Sequence, residues 1–547
     1  MLIGSRTRCG DWWLTILCLM PLFSAAVCDA QTSDTPPVAG SPIESWQVIH
    51  IDNQRAGYQY GRERVELRDK RKVIVSESDL FFSLNRFGQK LRITTTTRTE
   101  ETESGDLLRF SFEMKNPPSQ PTTTIGVVNG AELELTSTVA GRTDKRRIAW
   151  EADAKSPAYP DRRLRAKPLK VGESQTFKVY VPEFNKFSQQ HFAADEKRSI
   201  KLLDGKEVSL LRVQVSFSAI PENKSKQFVD AGWQTKMMET EMAGLVFRAY
   251  DVPRDVALQT IAGPELDLAI NTLVRVALPI IDAHRKKRIV YRVSMKEESP
   301  ERFFVVGETQ QLKRLADKDK TDPAIELTVT VKPIPPVNSR PVRIDDKYLA
   351  PTRFLQTRDP AVIEHADRAT GVETDPSRMA TRLEKYVHDK ITKKNFSTAM
   401  ASASEVAQSL EGDCTEHAVL LAALLRVKKI PSRVAAGLVY VESLQSFGGH
   451  MWTEAYLAGE WIPLDGTLGK GGIGPAHLKM ADSAMDEDAP LPVSTFLPAY
   501  QALGKLKIEV ILGRVLSRRR KFGEVAGLRT HWIYSAFSTS ILSLPSA

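Results

Sequence analysis

The chain has little cysteine. Of its 547 residues four are cysteine, and three of these, Cys9, Cys18 and Cys28, fall near the N-terminus. There, Arg6 and Arg8 precede an apolar run from Trp12 to Phe23, and small residues follow through Ala30. A charged start, a short apolar stretch and a small-residue region have the pattern of a secretory signal, assigned to residues 1–30. The run is too short to span a bilayer comfortably, and no later stretch is apolar enough to cross one. Lipid attachment at Cys28 is the lesser alternative, because Val27 is bulkier than the small residue such a site uses. Export to a periplasmic or extracellular location is therefore expected. Loss of the leader leaves Cys414 as the sole thiol, which excludes an internal disulfide.

A broad basic surface is also lacking. The net charge is +9, but the stretch from Gly513 onward carries six basic residues against one acid, more than half of that excess. No basic stripe interleaved with aromatics accompanies it, so nucleic acid is excluded as the partner. Residues 513–547 combine Arg518-Arg519-Arg520-Lys521 with a Ser-rich apolar end and no clear period, and are expected to form a basic, disordered tail. Metal-site patterns are equally scarce. His417 lies three residues from Cys414, but a structural site needs about four ligands and no second Cys/His pair exists. Asp482, Asp486, Glu487 and Asp488 miss the spacing of a calcium loop, and Gly469 to Gly474 lacks the strand-to-helix setting of a phosphate cradle.

Most of the first half consists of β-branched runs separated by turn residues. Trp46 to Ile51, Lys72 to Val75, Leu91 to Thr97, Phe177 to Val181 and Leu210 to Val215 are examples, with Asn129-Gly130 and Asp204-Gly205 as turns. This predicts a mostly antiparallel β region over 31–336, in two modules of about 45–260 and 264–336, with 263–283 more helical in character. Lys332-Pro333-Ile334-Pro335-Pro336 is the linker candidate, because prolines disfavour both helix and central strand. Beyond it, 360–370 and 376–390 have helical spacing. A second domain is assigned to 337–485 and a closing segment to 486–512, with a strand over Leu506 to Leu512. The piece beginning near Arg340 is expected to fold alone.

Cys414 sits at the start of the next helix. Asp413 suits an N-cap, Glu416 completes a capping box, and Ala418 to Leu425 is apolar nearly all round. The thiol thus stands at the positive end of a buried helix, which favours thiolate and a developing oxyanion. Histidine and aspartate follow, in the order a base and its orienter could take. If Ala458-Gly459 makes a two-residue turn, Leu457 faces Glu460, and His450 and Asp465 fall diagonally adjacent on one sheet face. A three-residue turn would separate them. Asn395 is a weak candidate for the oxyanion side chain, and Trp452 and Trp461 fit core better than a groove.

Gly412 to Ala418, Ile430-Pro431-Ser432-Arg433-Val434, Gly449-His450-Met451-Trp452-Thr453-Glu454 and Trp461 to Thr467 together resemble the transglutaminase-like superfamily of papain-type folds. The resemblance covers about 349–485. It implies an α+β domain in which the cysteine helix packs on an antiparallel sheet, with Cys414 as nucleophile, His450 as base, Asp465 as orienter, and no metal or organic cofactor. It also implies acyl transfer from a protein or peptide amide to water or an amine. The preceding β region would then serve substrate recognition or an envelope partner. A non-catalytic scaffold is the alternative.

Overall fold

The computed structural model describes residues 42–511 except 221–223, 243, 262–265, 268–271, 297, 308, 316–321, 337–341, 399, 487–495 and 497–501. The leader, the tail, Glu487 and Asp488 lie outside the described residues.

The N-terminal part is a large antiparallel β region, as its alternating β-branched runs predict. Fourteen strands between Ile43 and Asp251 form one sheet in which sequence neighbours pair, except that Arg142–Ala149 and Ser174–Val181, consecutive in the chain, lie at its two edges. Its first strand, Ile43–Ile51, also pairs with Leu245–Asp251, joining a run of eight strands to a run of six. A second sheet of four strands contains Arg288–Met295, Gln310–Leu315 and Ala324–Thr330. Its fourth strand, Leu506–Val510, comes from the far end of the chain and pairs with Arg288–Met295. The predicted closing strand is present, then, but it closes the β region's second sheet. Within 263–283 the described residues differ from the helical character expected. They include the short strand Val274–Arg275, drawn into sheet structure by pairing with Ser446 and Phe447.

Helices dominate after the proline-rich stretch. Pro360–Thr370 and Pro376–Lys390 occur where the spacing places them, each opened by an aspartate cap followed by proline. Ala403–Ser409 and Cys414–Val427 follow. These helices precede an antiparallel sheet of Ser432–Val441, Ser446–Leu457, Glu460–Leu464 and His477–Ser483, with Val274–Arg275 at one edge.

The apolar core is continuous from the first sheet through the second into the later region. One buried cluster contains Ile49, Phe192 and Phe247 of the first sheet, Tyr291 and Leu327 of the second, and Leu383, Leu421 and Leu438 of the later region. Among the described residues no helix is long and apolar enough to cross a membrane.

Candidate active site

Cys414 opens the helix Cys414–Val427, as the cap pattern predicts. The Asp413 carboxylate accepts the Thr415 N–H at 2.7 Å, and Glu416 accepts the Asp413 N–H at 3.0 Å. Every residue from Cys414 to Arg426 is buried, which explains an apolar sequence on all faces. Arg426 secures the other end by donating to the carbonyls of Ala350, Ser432 and Ala484. The strand Ser446–Leu457 lies against this helix, and the Thr453 hydroxyl donates to the Ala418 carbonyl at 2.8 Å.

The hairpin has the two-residue turn on which the parity argument depends. Leu457 pairs with Glu460 and Thr453 with Leu464, while Ala458 and Gly459 both have positive φ, 54° and 90°. His450 and Asp465 consequently meet: His450 Nε2 donates to Asp465 Oδ2 at 2.8 Å. Cys414, His450 and Asp465 are 2%, 1% and 1% exposed.

A second histidine, which the sequence did not suggest, shares that carboxylate. His477 Nε2 donates to the same Oδ2 at 3.0 Å, and its ring lies 5.5 Å from that of His450. His477 begins a strand that pairs with Ser432–Val441, not with the His450 hairpin, so hairpin parity cannot find it. A glycine permits this approach. A Cβ at Gly437, the residue paired with His450, would lie 1.8 Å from the Leu478 carbonyl oxygen. Asp465 Oδ1 accepts the N–H groups of Thr467 and Leu468 at 2.8 and 3.2 Å. Burial alone would raise the Asp465 carboxyl, but the charge and hydrogen bond of His450, with those of His477, hold it well below its usual range. Burial pushes His477 down to about 4, so it stays neutral near pH 7. The ligand-type atoms of His450, Asp465 and His477 lie within 4.8 Å of one another, close enough to hold a metal ion, a set that no spacing in the sequence marks.

Other groups complete the surroundings. Lys394 Nζ lies 3.2 Å from His417 Nε2, while His417 Nδ1 is bonded to the Asp413 carbonyl, giving this helix histidine a packing role. Burial depresses Lys394, against the opposing charges of Asp413, Cys414, Asp465 and Glu416. The Asn395 side-chain oxygen accepts from the N–H and hydroxyl of Ser397 and is committed to its own loop. Trp452 is buried with Ala435 and Ile473, and Trp461 packs under the Arg433 guanidinium, so both belong to core. Asp482 pairs with Arg433 and Lys479.

Glu384 lies behind Asp465, accepting the Asp465 N–H at 2.9 Å and the Gly472 N–H at 3.2 Å. Burial pushes its carboxyl up from 4.5 to about 7, with the Asp465 charge adding to the rise and the Asp465 and Gly472 N–H bonds opposing it. Between those values the unfolded chain releases this proton while the folded protein retains it, so stability falls as pH rises through that window. Glu384→Gln is expected to remove that slope and to be more stable than the parent at pH 8 by up to about 3 kcal/mol, with little difference near pH 4. Urea melts at the two pH values check this, and parallel pH profiles for parent and variant would contradict it.

Comparison with known proteins matches residues 363–466 to the transglutaminase-like superfamily. No curated protein matches the sequence. Among solved structures, the chain is similar to a candidate cysteine protease from Cytophaga hutchinsonii at 17% identity, covering 40% of this chain and 83% of that one, with TM-score 0.26. The periplasmic domain of TgpA from Pseudomonas aeruginosa, bound to ethylmercury, is similar at 16% identity over 34% of this chain and 74% of that one, TM-score 0.23. A β-barrel-like protein of unknown function from Brucella abortus is similar at 8% identity over 39% of this chain and 95% of that one, TM-score 0.29. The helices and hairpin that place Cys414, His450 and Asp465 thus lie in a segment, 363–466, that is a transglutaminase-like domain.

Proposed function

We propose that the protein is an exported, cysteine-dependent acyl-transfer enzyme acting on protein or peptide amides. The observation that carries this is the pairing of His450 Nε2 with Asp465 at 2.8 Å, on a strand packed against the helix that Cys414 opens. With Nε2–H committed to the carboxylate, Nδ1 is the nitrogen left for base chemistry. In the proposed reaction Nδ1 takes the thiol proton, and sulfur attacks the amide carbonyl carbon. The tetrahedral adduct collapses, the C–N bond breaks, and the imidazolium returns the proton to the departing amine. Water or an amine, deprotonated by the same nitrogen, then attacks the thioester and releases Cys414. Asp465 holds the tautomer and stabilises the imidazolium. The β region is assigned to substrate recognition or to an envelope partner.

The test incubates the full-length protein with a peptide carboxamide, with and without a primary amine. Intact mass should show a substrate-derived adduct on Cys414, and the products distinguish hydrolysis from transfer. No adduct and no turnover across a panel of amides would favour a scaffold. Asp465→Asn is expected to lower kcat by at least about 10²-fold, because an amide cannot stabilise the imidazolium as a carboxylate does and must also face two backbone N–H groups. Unchanged kcat in a folded Asp465→Asn protein would remove Asp465 from the mechanism.

A further inference from the structure

The most unusual charge placement lies where the first sheet reaches the cysteine helix. Arg86 ends the strand Arg71–Arg86, and its guanidinium forms an ion pair with the carboxylate of Asp413, the cap residue directly before Cys414. Both side chains are 1% exposed. Arg86 also donates to the Thr398 carbonyl at 2.9 Å. Its neighbours fasten the same loop. Gln89 accepts the Phe396 N–H at 2.7 Å, Asn116 donates to the Ser397 carbonyl at 3.1 Å, and the Phe87 and Phe396 rings lie 5.2 Å apart. That loop connects back to the helix, since Glu416 accepts the Ala401 N–H at 3.0 Å.

A buried ion pair is weak evidence for stability, because desolvation offsets its attraction and an apolar pair of similar volume often serves as well. Its position is what calls for explanation. Two carboxyls, Asp413 and Glu416, are buried beside the thiol. Burial and then the Asp413 charge raise Glu416 well above the usual carboxylate range, and the guanidinium of Arg86 is paired with Asp413, not with Glu416. An unneutralised Asp413 would oppose thiolate one residue away. The remaining titratable groups here are Lys394 from the loop, His417 from the helix, and His450 with its partner Asp465 from the hairpin. Burial, then the Lys394 charge, push His417 down to about 3, so it supplies no cation.

We infer that Arg86 is a positioning residue for the Cys414 thiol, by which the β region neutralises the helix cap and fixes the loop that adjoins it. This rests on the proposed nucleophilic role of Cys414, but its test needs no substrate. The rate of Cys414 alkylation by iodoacetamide is followed against pH in the full-length protein, with circular dichroism reporting the fold. Folded Arg86→Met should alkylate about tenfold more slowly at pH 7, with its rate profile moved to higher pH, and on an active substrate should lose kcat with little change in KM. The double variant Arg86→Met/Asp413→Asn removes both charges and keeps a capping side chain. Its alkylation rate should return to within about threefold of the parent, and it reads the inference even where the single variant does not fold. A folded single variant with parental rate and profile would overturn the inference, as would a folded double variant that remains tenfold slow. Turnover surviving in Cys414→Ala would instead defeat the catalytic proposal, a separate outcome.

Discussion

Cys414→Ala is expected to reduce turnover to background, a loss of at least about 10⁴-fold, while stability changes by no more than about 1 kcal/mol. The chemical loss is large because no other thiol is present among the described residues. The structural loss is small. One sulfur leaves a buried site at the helix's first turn, and the Asp413 and Glu416 cap bonds use groups that the substitution does not touch. Turnover assays alongside thermal melts separate the two effects. Parental turnover in the variant would exclude a thioester on Cys414, whereas a large drop in melting temperature would show the residue's importance to be packing.

Deleting the β region is expected to have the other large effect: a chain beginning at residue 340 should fail to give a soluble, cooperatively folded protein. The proline-rich stretch by itself suggests that this piece folds alone, but the tertiary contacts argue otherwise. Such a piece loses Val274–Arg275 from its sheet and leaves Leu506–Val510 without its partner strand. It also loses the Tyr291 hydroxyl bond to the Pro475 carbonyl at 2.8 Å and the Tyr440 hydroxyl bond to the Ile280 N–H at 3.0 Å. Gln310 makes two buried bonds to the Lys479 backbone, and each leaves an unsatisfied polar group when removed. His284 no longer packs against the His477 ring, and Arg86 no longer meets Asp413. Size-exclusion chromatography and near-ultraviolet circular dichroism check this. A monomeric fragment with a sharp melt and reactive Cys414 would show that the proline stretch does separate two folding units.

Local patterns determined a good deal of this protein. Alternating β-branched runs and Asn-Gly or Asp-Gly turns suffice to predict antiparallel pairing between sequence neighbours. Asp413 and Glu416 mark the start of the cysteine helix, because capping is satisfied within four residues. The turn at Ala458-Gly459 sets a hairpin parity that holds to the Thr453–Leu464 pair and delivers Asp465, the next residue, to His450. Tertiary structure decided the rest. His477 reaches Asp465 through a strand pairing that depends on Gly437, Glu384 reaches it from another helix, and Arg86 reaches Asp413 from 327 residues earlier. None of these residues has a neighbour in sequence that reveals its partner. The same limit applies to domain boundaries: prolines report local backbone preference, whereas a shared core follows from which apolar faces meet after the chain has folded.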